Sequence, residues 1–118
     1  IDMAVQDGQL HELILMYQGD LEKAGIRYAI YGHMGDNHIH CNILPGNPDE
    51  FEVGFKLYQK WAKVVALWGG TLSAEHGIGK QKSRMFRDFI SMTDYQKMQR
   101  IKLLFDPDNM LNRDDIFS

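Results

Sequence analysis

Two stretches of apolar–polar alternation, residues 26–33 and 38–44, flank the tetrapeptide Met34, Gly35, Asp36, Asn37. A period of two marks a half-buried strand, and Gly, Asp and Asn between two such runs supply a turn. The middle of the chain is thereby committed to an antiparallel hairpin whose pleat sorts the side chains. Ile26, Tyr28, Ile30, Ile39, Cys41 and Ile43 fall on one face, the core side. His38, His40 and Asn42 fall on the other, and a turn of two or four residues puts Arg27, Tyr31 and His33 beside them. A slip of one residue would push the histidines into the core, so the register is strongly specified.

Helical periodicity brackets this hairpin. Leu10, Leu13, Ile14, Tyr17, Leu21 and Ala24 recur at helical spacing, with Asp7 as the expected N-cap and Gly25 as a left-handed stop. After Pro45 and Gly46, Asn47 is placed to cap a long helix with Pro48 at its first position and Asp49 and Glu50 in its first turn. Phe51, Phe55, Tyr58, Ala62, Val65 and Trp68 form its expected apolar stripe, and Gly69 and Gly70 end it. A third helix is expected over 81–90, with Met85, Phe86 and Phe89 inward. Thr93 and Gln96 make a capping box for a fourth, with Met98, Ile101, Leu104 and Phe105 inward. Helices gathered on one side of an antiparallel sheet define an α+β domain. Two strands alone are marginal, so edge pairing in a homodimer is expected.

The chain has 118 residues, the size of one domain, and a fold of that length buries about two-thirds of the surface its unfolded form exposes. Residues are 44% hydrophobic and 25% charged, the balance of a soluble globular domain. A net charge of −3 argues against nucleic acid as a partner, because phosphate backbones select strongly basic faces. Cys41, the single cysteine, excludes an intrachain disulfide and a Cys-rich zinc site and suits a reducing compartment. No apolar run approaches the roughly 18 residues of a membrane-spanning helix, and the start lacks a signal-peptide pattern. The expected location is the cytoplasm, with a peripheral position at the inner face of the membrane as the alternative. Opening on Ile1 rather than Met suggests a processed or excised piece.

Chemistry concentrates in two places. The hairpin carries three of the five histidines on one face, and convergent imidazoles are the commonest raw material of a transition-metal site. His33 and His40 supply two nitrogens, and Asp36 or Glu75 is the candidate carboxylate that completes a three-ligand set. The second place is the glycine-rich run 69–80, where Glu75 and His76 are adjacent. A carboxylate there can bind a cation while the neighbouring imidazole moves a proton. The run is not a phosphate loop: Ala74 and Gln81 stand where a Walker-type loop needs Gly and Ser or Thr. Nor does it carry a dinucleotide fingerprint.

Residues 32–42 (GHMGDNHIHCN), residues 73–79 (SAEHGIG) and the tail positions Phe105, Asp106, Pro107, Leu111, Asn112, Ile116 and Phe117 together resemble the carboxyl-terminal domain of FAD-linked oxidases. That is the family of D-lactate dehydrogenases, glycolate oxidase and D-2-hydroxyglutarate dehydrogenase. The opening Asp2, Met3, Ala4, Val5 also looks like the family's approach to this region. Asn37 and His38 replace the family's Gly-Asn, and Arg113 replaces a Pro. Asn37 tolerates the loss of Gly because Asn visits the left-handed region comparatively easily.

The resemblance implies a ferredoxin-like sheet and a divalent metal, Zn2+ or a similar first-row ion, on His33, His40 and Glu75. It makes His76 the general base that takes the substrate's hydroxyl proton while hydride leaves for the flavin. Asn42 and His38 are assigned to substrate, with His38 placed to support the metal as well, and Asn112 to the FAD; a backbone-turn role competes for Asn42 and Asn112. The FAD itself would be held mainly by a domain preceding Ile1, so residues 1–118 make up one domain that does not turn over alone. The expected partners are a small 2-hydroxy acid and an electron-acceptor protein or quinone. Two other classes compete: a self-sufficient metal-binding module or metallohydrolase, and a ferredoxin-like interaction domain.

Overall fold

The computed structural model describes residues 1–117. They run β1 (Asp2–Ala4), α1 (Leu10–Ala24), β2 (Arg27–His33), a single 3-10 turn (Met34–Asp36), β3 (His38–Leu44), α2 (Pro48–Leu67), α3 (Gly79–Phe89) and α4 (Met92–Phe105). The class is α+β, with a three-stranded antiparallel sheet and four helices. No helix among the described residues is long and apolar enough to cross a membrane. The chain divides into two compact units, Ile1–His76 and the residues from Gly77 onward.

In the first unit the hairpin closes with a four-residue turn, and His33 pairs with His38, Tyr31 with His40 and Ala29 with Asn42. Asn37 ends the turn at φ 51° and ψ 32°, the left-handed conformation that its replacement of Gly required. Gly32 meets a second backbone demand: its φ is 154°, and a Cβ there would lie 2.5 Å from the His38 carbonyl oxygen. The sheet has one strand more than expected. β1 pairs with the other edge of β3, so the order is β1-β3-β2, with Asp2 opposite His40 and Ala4 opposite His38. Three residues carry too little alternation to be read as a strand, and pairing with β3 decides their conformation. The expected homodimer rested on a two-stranded sheet; with three strands that reason for edge pairing is gone.

The helices α1 and α2 cover the face that carries Met3, Ile39 and Cys41, and bury Leu13, Tyr17, Leu21, Trp61 and Val65 against it. The Tyr17 and Trp61 rings lie 4.5 Å apart. The Trp61 indole N–H donates to Asp20 Oδ2 at 2.7 Å, beside the Lys60 ammonium. Burial pushes the Asp20 carboxyl up, but these two donors outweigh it and hold the group below its usual range. Gly25 ends α1 at φ 69° as expected, whereas the position before the helix is Gln9 rather than Asp7. Asp7 instead accepts from Asn37 Nδ2 at 2.6 Å and ties the hairpin turn to the chain ahead of α1.

Asn47 caps α2 as expected, its Oδ1 accepting from the Glu50 N–H at 2.9 Å. The stripe differs: Phe51 and Phe55 are exposed, and the buried line is Gly54, Trp61, Ala62 and Val65. Gly54 sits so close to β3 that a Cβ would lie 3.0 Å from Ile43 Cγ2. Gly70 then passes against β1 with no room for a side chain beside the Ala4 carbonyl. Thr71 donates its N–H to that carbonyl at 2.8 Å, which lays the following residues alongside β1.

The second unit buries Met85 and Tyr95. The Tyr95 ring lies 5.4 Å from Phe117, and Arg87 Nη2 donates to its hydroxyl at 2.9 Å. Helix α4 starts from Ser91, whose Oγ accepts from the Asp94 N–H at 3.1 Å, and not from the expected Thr93. Ile101, Leu104 and Phe105, expected inward, are exposed. Tyr95 fixes the inward face, and at 3.6 residues per turn Leu104 projects about 180° away from it.

Candidate active site

The sheet face opposite α1 and α2 is defined by register. Asp2, His38 and His40 share it across β1 and β3, and His33 and Tyr31 continue it on β2. The segment after α2 crosses this face, with Ser73 bridged to Asp2 and the Ala74 N–H donating to the Asp2 backbone carbonyl at 2.9 Å. Glu75 and His76 are thereby delivered beside the hairpin histidines.

Glu75 is the hub of the cluster. His40 Nε2 lies 2.9 Å from its Oε1, His76 Nε2 3.2 Å from the same oxygen, and His33 Nε2 3.6 Å from Oε2. The His40 and His76 rings stack at 4.9 Å with 22° between planes. His33, His38, His40 and Glu75 each offer a ligand atom, all within 4.8 Å of one another; Asp2, His40 and His76 form a second such group. Imidazole with carboxylate is the donor chemistry of zinc and its first-row neighbours. His40 is 5% exposed and turns Nε2 to Glu75 Oε1, while its Nδ1 is buried with no hydrogen-bond partner; the fit to a cation therefore rests on the donor set.

Of the two carboxylates considered, Glu75 enters the cluster. Asp36 sits on the exposed 3-10 turn, outside both ligand groups. His76 is largely exposed, with Nδ1 3.6 Å from Asp2 Oδ2, and His33 is likewise open to solvent. Asn42 is exposed on the same face, its Nδ2 donating to the Tyr31 hydroxyl at 3.2 Å. His38, placed with the substrate from sequence, is buried, and its Nε2 faces Asp2 Oδ1 at 2.9 Å. Asn112 belongs to the second unit, in a turn at φ 45° where its carbonyl accepts from the Asp115 N–H at 3.3 Å.

Sequence reasoning gave no site role to Asp2, which the structure places in the cluster. Its carboxylate is 1% exposed and accepts from Ser73 Oγ at 2.7 Å and from the backbone N–H groups of Ala74, Glu75 and His76 at 3.1, 3.2 and 2.9 Å. Burying a carboxylate requires such compensation, and N–H donors to a charged oxygen are strong ones. The available signal was an acid inside the otherwise apolar opening Ile1, Met3, Ala4, Val5.

The family model described as "FAD linked oxidases, C-terminal domain" matches residues 1–116. The chain is 31% identical over 116 residues to D-lactate dehydrogenase (cytochrome) 1, mitochondrial, of Saccharomyces cerevisiae, covering 98% of this chain and 20% of that protein. It is 34% identical over 92 residues to D-2-hydroxyglutarate dehydrogenase of Stutzerimonas stutzeri, covering 75% and 20%. Against glycolate oxidase subunit GlcD of Bacillus subtilis it is 28% identical over 120 residues, covering 99% and 25%. The chain thus spans a fifth to a quarter of the length of these curated relatives. It belongs to the family of FAD-linked oxidase C-terminal domains.

Proposed function

We propose that the chain is the substrate- and metal-binding part of a flavin-dependent 2-hydroxy-acid dehydrogenase of the D-lactate or glycolate type. The observation that carries this reading is the convergence of His33, His40 and His76 on the Glu75 carboxylate. His33, His40 and Glu75 would hold a divalent cation, Zn2+ or a first-row neighbour. When bound, the cation would supply Lewis-acid chemistry to the 2-hydroxy acid, and the flavin would supply the acceptor for its hydride.

The remaining work falls to this chain's side chains. His76 takes the hydroxyl proton at Nε2, the nitrogen turned toward Glu75, so that the C–H and O–H bonds break and the C=O bond forms with one proton on the imidazole. Asn42, exposed beside Tyr31, contacts the substrate, and Asn112 contacts the flavin. The FAD-holding domain lies outside residues 1–118, in keeping with the span of the relatives. An acceptor protein or quinone takes the electrons onward.

The test is anaerobic flavin reduction in the flavoenzyme that carries this chain, with D-lactate, glycolate and D-2-hydroxyglutarate as substrates. One of these acids should bleach the flavin, and His76→Asn should slow that step by about 10²–10⁴-fold. Metal-dependent hydrolysis that needs no acceptor, with no 2-hydroxy acid reducing the flavin, would overturn the proposal in favour of a metallohydrolase.

A further inference from the structure

We infer that Asp2 is the positioning residue of this site: its carboxylate sets the Glu75–His76 segment and the His38 ring, and through them the cation-binding geometry. The inference rests on the proposed assignment of Glu75 and His40 as ligands. β1 brings Asp2 opposite His40 in the sheet register, so the carboxylate emerges on the histidine face directly beneath the segment that crosses it. Both oxygens are committed. Oδ1 receives the Ala74 and Glu75 N–H groups and faces His38 Nε2 at 2.9 Å; Oδ2 receives Ser73 Oγ and the His76 N–H and lies 3.6 Å from His76 Nδ1.

Three successive backbone N–H groups converging on one anion fix the peptide planes from residue 74 to 76, and with them the directions in which Glu75 and His76 leave the chain. On its other side the carboxylate holds His38, whose ring lies 4.5 Å from the His40 ring and limits where that imidazole can turn. Asp2 makes no contact with a substrate in this role. Groups that orient ligands in this way typically contribute 10–100-fold to metal affinity.

An amide cannot replace this carboxylate. Whichever way the side chain introduced by Asp2→Asn were turned, its NH2 would face backbone N–H donors, those of Ala74 and Glu75 on one side or that of His76 on the other. The substitution therefore tests the role with almost no change in side-chain volume. The readout is Co2+ titration of the full chain, followed by the visible ligand-field absorption of the bound ion, alongside thermal melting and amide hydrogen exchange without metal. Asp2→Asn is expected to weaken Co2+ binding at least 10-fold, alter the absorption band and speed exchange at Glu75 and His76, in chain that remains folded. Wild-type affinity and spectrum in folded Asp2→Asn, with His40→Ala impaired, would overturn the positioning role and leave the ligand assignment standing. Undiminished binding in His40→Ala would overturn the ligand assignment and this inference with it. If Asp2→Asn does not fold, Ser73→Ala removes a single donor to Oδ2 and should weaken Co2+ about threefold; unchanged affinity there would overturn the inference.

Discussion

Asp106 accepts from the Lys102 ammonium and from the backbone N–H groups of Met110 at 2.8 Å and Leu111 at 2.9 Å. The ammonium first, then the backbone donors, hold its carboxyl down at about 2. A carboxyl depressed in the fold contributes stability that is complete above its ordinary value near 3.8 and lost as pH falls from there through about 2. Melting of the second unit, followed by the near-ultraviolet signal of Tyr95, should therefore move to lower temperature across that window. Asp106→Asn should flatten this acid limb and lower the melting temperature at neutral pH. Asp2 and Asp106 were equally illegible as hubs, for one reason. A carboxylate that collects backbone N–H groups depends on how distant or turning segments approach it, which residue spacing does not encode. His33, His40 and Asn42 were legible, because the pleat puts alternate residues on one face whatever the rest of the fold does.

Among the elements, those with their own punctuation were readable in advance. Asn47 with Pro48 marked the start of α2, and Gly25 marked the end of α1, because caps and left-handed stops act within a few residues. Asn47→Ala should cost about 1 kcal/mol in urea unfolding. β1 was missed because its pairing with β3 decides it. Phe51 and Phe55 on α2 were misread because a helical period does not show how far along a helix its partners reach. The Ser91 start of α4 was overlooked in favour of Thr93, although its Ser91–Asp94 cap is as local as that of Asn47. Gly32 joins element geometry to the site. Gly32→Ala would set a Cβ against the His38 carbonyl and Ile39 at a φ that L residues avoid, so a loss of about 2 kcal/mol or more is expected. The strain falls between His38 and His40, so metal affinity should drop along with the melting temperature. A stable Gly32→Ala variant with unchanged affinity would show that β2 does not help to set the cluster.

At the scale of the molecule, the histidine–glutamate cluster belongs wholly to the first unit, and the core that supports it is centred on Trp61 and Tyr17. Trp61→Ala should cost about 3–5 kcal/mol and the site with it, whereas Leu104→Ser on the exposed side of α4 should stay within about 0.5 kcal/mol. The central claim is that three side chains bind the cation and a fourth handles the proton. Its most direct test is the metal content of the purified chain beside four variants, Glu75→Gln, His33→Ala, His40→Ala and His76→Asn. One equivalent of a first-row metal in the unaltered chain and in His76→Asn, with loss in the other three, is the predicted result. Equal metal in His40→Ala and the unaltered chain, or a loss in His76→Asn as deep as in Glu75→Gln, would contradict it.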